Sequence, residues 1–92
     1  MIDRLPPQSL EAEQSVLGAI LIDRDTVVEV AEFLRAEDFY RQANARIYAA
    51  ILELFDRREP IDIVTVAESL ERREELEAIG GRAYLSSLSN ET

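Results

Sequence analysis

Between residues 42 and 57 the apolar side chains recur at the spacing that one face of an α-helix brings together. They stand at positions i, i+3, i+4, i+7 and i+8, and they are Ile47, Ala50, Ile51, Leu54 and Phe55. Tyr48, Ala49 and Leu52 widen the apolar arc further. Because so wide an arc needs several neighbours to cover it, the pattern predicts a central helix at about 42–57, surrounded by others.

Four more short helices are predicted from weaker versions of the same spacing. They lie at about 10–21, from about 25 through Leu34, from Asp62 through Leu70, and from about Arg82 to the frayed end near 90. Asp23 or Asp25 is a candidate N-cap for the second helix of the chain, and Asp62 is one for the fourth. Residues 26–30 and 61–66 are rich in β-branched residues and could form strands. In residues 26–30 the apolar side chains recur with a period near 3.6, which favours a helix. Residues 61–66 have no partner strand, so a helix is favoured there as well. The predicted fold is all-α, a compact bundle of about five short helices.

Smaller features of these helices predict how the bundle packs. Gly18 lies inside the first helix, where it indicates either a close helix crossing or a small residue that is merely tolerated. The aromatic pair Phe39-Tyr40 follows a polar loop, and we expect both rings to enter the core. Gly80-Gly81 permits backbone angles that other residues avoid, just before the last helix.

The charge of the chain restricts its partners. With 92 residues it is long enough for one small domain, and it carries a net charge of -9 with no lysine or histidine. An acidic domain repels phosphate, so we expect little or no direct DNA binding and a role in contacts with proteins. The longest apolar run, 16–22, is too short to span a bilayer and follows no basic leader, which predicts a soluble, cytoplasmic domain without membrane contact.

The sequence offers no recognisable catalytic, cofactor or metal residues. Histidine and cysteine are absent, which excludes Ser-His-Asp and Cys-His catalysis and the usual zinc ligands. With three glycines, the chain cannot assemble a phosphate-binding loop. Paired acids occur at 23 and 25, 37 and 38, and 74 and 75, where solvated carboxylates at helix ends and loops are expected. The domain is therefore predicted not to be an enzyme.

The first residues of the chain are of the types that precede and start a helix. Pro6-Pro7 predicts an extended lead over residues 1–8, Ser9 suits the N-cap, and Glu11 and Glu13 bring negative charge to the helix amino end, on its polar side. The run from Pro6 to Gly18 resembles the start of the N-terminal domain of the bacterial replicative DNA helicase, the DnaB family. The resemblance recurs in order at 37–41, at 59–65 with Leu70 after it, and at 79–85.

The resemblance implies a larger machine. Proteins of this family carry a helical head, a helical hairpin, a linker and a RecA-like motor that uses ATP and magnesium, and six chains form a ring on single-stranded DNA. Residues 9–90 correspond to the head, with the hairpin and motor absent. The head of such a protein contributes to the N-terminal collar, so the implied partners are neighbouring helicase subunits, the C-terminal domain of primase and a helicase loader. Many relatives place histidine where this chain has Asn44, which is expected to be a hydrogen-bonding surface residue.

Two residues are candidates for partner binding. Tyr84 lies on the helix next to the missing hairpin and combines rigid apolar area with a polar tip, although core packing is the more ordinary role for it. Glu11 could form an ion pair with a basic partner, or it could only complement the helix dipole.

Two other hypotheses compete with a helicase head. One is a free-standing helical adaptor that acts by self-association, and the other is a magnesium hydrolase built on carboxylates. Without the hairpin, the chain alone is expected to be a monomer or a weak dimer.

Overall fold

The computed structural model describes residues 10–90, which form five α-helices and one short 3-10 turn. The helices are α1 (Leu10–Ile22), α2 (Asp25–Val30), α3 (Gln42–Asp56), α4 (Ile63–Arg72) and α5 (Gly81–Ser89), and the turn is Ala36–Asp38. The predicted all-α class is confirmed. No helix in this part of the chain has the length and apolar character needed to cross a membrane. The predicted extended lead and the Ser9 cap lie outside the described residues.

The predicted central helix, α3, forms the middle of the core. It packs against α1, α4 and the 3-10 turn, while α5 packs against α1 and α4. Fully buried side chains reach the core from every helix, among them Leu17, Val27, Ile51, Leu70 and Leu85. Tyr48 is also fully buried, and its hydroxyl donates to the Leu34 carbonyl oxygen at 2.9 Å. Burial raises the pKa of Tyr48, and the charge of Asp38 adds to the effect.

Both β-branched segments are helical, but they begin differently. At α4 the predicted cap is present: the Asp62 side chain accepts from the Thr65 amide at 2.9 Å, and the Thr65 hydroxyl accepts from the Asp62 amide at 3.0 Å. At α2 the N-cap residue is Arg24, without a side-chain cap, and Asp23 instead accepts from the Asp25 amide at 3.0 Å. The predicted extension of α2 through Leu34 is too long by four residues, because the helix ends at Val30 and continues only as turns.

The expectation for the aromatic pair is half wrong. Phe39 is buried, with its ring centroid 5.1 Å from that of Tyr48, whereas Tyr40 is 68% exposed. The backbone is extended at Phe39, and successive side chains of an extended chain point to opposite sides. Only one ring of the pair could therefore enter the core.

Gly18 marks a close helix crossing, as one of its two interpretations predicted. A Cβ atom built at Gly18 would lie 2.3 Å from the carbonyl oxygen of Leu88 on α5. Backbone cannot yield as a flexible side chain can, so α1 and α5 approach this closely only because position 18 has no side chain.

We expect Gly18→Ala to lower the free energy of unfolding by about 1–3 kcal/mol, the usual cost of forcing extra atoms into a packed contact. Ser15→Ala is the matched control, since Ser15 is exposed on the same helix and alanine is the better helix former. Urea unfolding followed by circular dichroism measures both. Equal stability of the two variants would show that the crossing can relax without cost.

Two helices end on residues with left-handed backbone angles that are not glycine. Arg58 (φ 60) follows α3 and Glu74 (φ 61) follows α4. Beyond Arg58, the Glu59 amide donates to the Leu54 carbonyl at 3.0 Å, and the equivalent bond closes the end of α4. This is the Schellman arrangement, in which glycine is the usual occupant of the left-handed position.

We therefore expect Arg58→Gly to raise the free energy of unfolding by about 0.5–1 kcal/mol. Glycine relieves the strain of the left-handed backbone angle, and the greater conformational entropy that it gives the unfolded chain offsets part of this gain. Arg57→Gly, one residue earlier at φ -86, should instead be destabilising by about 1 kcal/mol. Thermal and urea unfolding of both variants test the contrast. A loss of stability in both would mean that the Arg58 side chain matters more than its backbone angle.

Candidate partner-binding surface above a buried polar chain

Tyr84 is half-buried on α5, and its hydroxyl joins that helix to α1 and α3. It donates to Asn44 Oδ1 at 2.6 Å and accepts from Gln14 Nε2 at 3.3 Å. The hydroxyl thus acts as both donor and acceptor, and the two bonds fix the direction of the ring. Tyr84 therefore takes part in packing while leaving part of its side chain accessible.

Asn44 is fully buried, so the expectation that it lies on the surface is wrong. Its Nδ2 atom donates to Glu13 Oε1 at 2.9 Å, while its oxygen receives the Tyr84 hydroxyl. The reason lies in the helix period: Asn44 stands three residues before Ile47 and seven before Ile51, on the buried face of α3. A polar residue in register with that apolar stripe was the signal for a buried hydrogen-bonded amide.

Glu13 is also buried, with 7% of its surface exposed, which corrects its placement on the polar side of the first helix. It stands four residues before Leu17, in register with the apolar stripe of α1. Its carboxylate accepts from the backbone amide of Tyr40, from that of Arg41 at 3.4 Å, and from Asn44. All three partners are donors, which suits a side chain whose two oxygens both accept.

The charge of Glu13 lies at the amino end of α3, not only at that of its own helix. Arg41, the N-cap residue of α3, supplies no side-chain cap. The positive end of the helix dipole makes this a favourable position for an anion. Glu13 thus links α1 to the residues that lead into α3, and within residues 10–90 no arginine forms an ion pair with it.

The two predicted partner-binding residues lie on packed helices. Glu11 is exposed one turn before Gln14 on α1, and residues three apart share a helix face. Gln14 in turn bonds Tyr84 on α5. We call the surface formed by Glu11, Gln14 and Tyr84 the α1–α5 surface; its part in partner binding stays a prediction.

One acid of each pair, namely Asp23, Asp38 and Glu75, is engaged by backbone or by arginine. Asp38 accepts from the Arg35 amide at 2.9 Å, and Glu75 lies 4.0 Å from both Arg46 and Arg73. Within residues 10–90, no group of three or more histidine, cysteine or acidic side chains is placed to hold a metal ion.

We expect Glu13→Gln to lower the free energy of unfolding by about 1–3 kcal/mol, because an amide turns a donor toward groups that can only donate. Glu11→Gln, in the same first turn but exposed, is the control and should change stability by less than about 0.5 kcal/mol. Thermal unfolding at neutral pH compares them. If the two variants lost the same stability, the helix dipole of α1 would explain both, and the hydrogen bonds that Glu13 accepts from Tyr40, Arg41 and Asn44 would contribute nothing.

This arrangement of helices matches known proteins over nearly the whole chain. Residues 5–92 match the family described as the DnaB-like helicase N terminal domain. The replicative DNA helicase DnaB of Geobacillus stearothermophilus is 51% identical over 88 residues, which is 96% of this chain and 19% of that protein. That of Mycobacterium leprae is 54% identical over 85 residues, covering 92% of this chain and 14% of the relative.

A solved structure agrees with the fold. The crystal structure of the N-terminal domain of DnaB helicase from Mycobacterium tuberculosis superposes with a TM-score of 0.88 at 52% identity, covering 94% of this chain and 62% of that one. The chain therefore belongs to the DnaB-like helicase N-terminal domain family, which confirms the resemblance seen in its sequence. It spans less than a fifth of the length of these two curated helicases.

Proposed function

We propose that this domain is the non-catalytic docking and assembly head of a replicative DNA helicase. In this role it contributes to the N-terminal collar of a hexameric ring and recruits the C-terminal domain of primase. The observation that carries the proposal is the match to a solved helicase N-terminal domain at 52% identity and a TM-score of 0.88. In the parent protein, the motor that binds ATP and magnesium would lie in another domain.

The charge of the domain supports contacts with proteins over contacts with DNA. The net charge of -9 produces a field that repels phosphate, and a basic protein surface would be attracted by the same field. The work of the head is then to hold other polypeptides, while the motor holds the DNA strand.

The α1–α5 surface is our proposed primase contact. Its aromatic ring is held by two hydrogen bonds before any partner arrives, so little side-chain entropy remains to be lost on binding. Tyrosine is also enriched among the residues that dominate interface energies. Exposed Glu11 on the adjoining helix adds a charge that a basic partner residue could pair.

Titration of the full-length parent helicase with the primase C-terminal domain tests this proposal. We expect Tyr84→Ala to weaken binding by at least about tenfold and Glu11→Gln by a few-fold, with the Glu11 effect fading at high salt. Calorimetry gives both affinities. Val64→Ala is the control, since Val64 is 59% exposed but lies on α4.

Tyr84→Phe separates binding from packing. It keeps the ring but removes the hydroxyl that holds Asn44, so it should cost stability and leave most of the affinity. Primase binding that survives Tyr84→Ala unchanged would move the contact to another surface. Absence of binding to the wild-type helicase would reject the recruitment role.

A further inference from the structure

A second surface, away from α1 and α5, is an open groove between the chain that follows α2 and the carboxyl half of α3. Its volume is about 680 Å³. The apolar part of its lining consists of Ala31, Leu34, Ala36, Ala49 and Leu52. All five are half-buried, and Ala31, Leu34, Ala36 and Leu52 pack against the core while leaving part of their surface open to the groove. Three of the five are alanines, which allow another backbone to approach closely.

Two large apolar side chains beside the groove are exposed to solvent. Phe33 is 71% exposed and directly precedes Leu34 in the lining. Val28 is 51% exposed and stands one helical turn before Ala31. Exposed phenylalanine next to an apolar groove is unfavourable in an isolated domain, and such patches mark interaction sites.

The surroundings of the groove are acidic. Glu37 and Asp56 line it, and Glu29 and Glu32 are exposed on the segment that carries Phe33. Among residues 10–90, none of these four acids forms an ion pair. The negative charge around the apolar floor is therefore free to attract a partner.

The remaining acid of the groove is already neutralised. Glu53 accepts from Arg73 at 2.6 Å and lies 3.3 Å from Arg57. The hydrogen bond from Arg73 and the positive charges of Arg73 and Arg57 hold the pKa of Glu53 below its ordinary value. The groove is lined by two arginines, and Arg57 is paired with Glu53. Among the other charged residues of the lining, the two acids Glu37 and Asp56 outnumber the single arginine Arg35.

We propose that this groove, together with exposed Phe33 on the segment that lines it, binds a helical segment of another protein whose apolar stripe is flanked by lysine or arginine. The stripe would cover Leu34 and Leu52, and the basic flanks would pair with Glu32, Glu37 and Asp56. A helix laid into an apolar groove is a common mode of peptide recognition. A second copy of this chain would bring the same excess of acids, and a nucleic acid would bring phosphate, so charge opposes both.

The test uses two synthetic helical peptides with the same leucine stripe, one flanked by lysine and one by glutamate. Each is titrated into the isotope-labelled 92-residue chain, and backbone amide shifts are followed by nuclear magnetic resonance. We expect the lysine peptide alone to bind, and the shifted amides to cluster at residues 28–37 and 49–57.

Two variants and their controls make the assignment specific. Phe33→Ser and Glu37→Lys should each weaken the lysine peptide by about tenfold or more. Val64→Ser and Glu68→Lys make the same changes at exposed positions of α4, which does not line the groove, and should leave affinity within about twofold. Glu37→Lys adds no apolar cavity, so it remains informative if Phe33→Ser disturbs folding.

Several outcomes would overturn the proposal. Equal binding of the two peptides would remove the charge argument, and shifts confined to α1 and α5 would assign the peptide to the other surface. Concentration-dependent shifts at 28–37 without peptide, abolished by Phe33→Ser, would make a second copy the occupant. Because primase binding is tested with Tyr84 and Glu11 variants, the two proposals can fail separately.

Discussion

The buried carboxylate of Glu13 is the constraint on which the arrangement of the bundle depends. A carboxylate removed from water needs donors, and these come from the amides of Tyr40 and Arg41 and from the side chain of Asn44. Asn44 is then satisfied by Tyr84, so α1, α3 and α5 meet through one connected set of hydrogen bonds. Hydrophobic burial favours many packings of five helices, whereas few of them satisfy this set. The hydrogen-bonded set of Glu13, Asn44 and Tyr84 thus determines how the helices are placed relative to one another, and the apolar core stabilises that arrangement.

The helices could be predicted from apolar side chains at the helical period and, for residues 61–66, from the absence of a partner strand. The cap at Asp62 follows from local chemistry, whereas the sequence leaves the crossing at Gly18 as one of two interpretations. The site could be predicted only in part. The partner-binding role of Tyr84 and Glu11 stays a prediction. For Glu13 and Asn44 the predicted surface position is wrong, because it follows from the polar residue type and not from the register with the apolar stripe. Tyr40 shows another limit: adjacent aromatic residues share a side only where the backbone between them permits it. Which of two adjacent side chains is buried depends on contacts with residues distant in sequence, and the local pattern does not show those contacts.

The proposed functions divide the surface between two kinds of contact. On the α1–α5 surface, internal hydrogen bonds hold an aromatic side chain in place, so its shape is set in advance. At the groove, acidic residues surround apolar ones, and the charges would orient the bound helical segment. If both proposals hold, the domain can bind two polypeptides at once.

The three tyrosines occupy three different environments. Tyr40 is largely in solvent, Tyr84 is half-covered with its hydroxyl bonded on both sides, and Tyr48 is enclosed. The chain has no tryptophan, so these phenols dominate its near-ultraviolet absorption and emission. The domain therefore carries intrinsic chromophores in the loop, at the proposed contact and in the interior, and their combined signal reports changes at these positions without an attached dye.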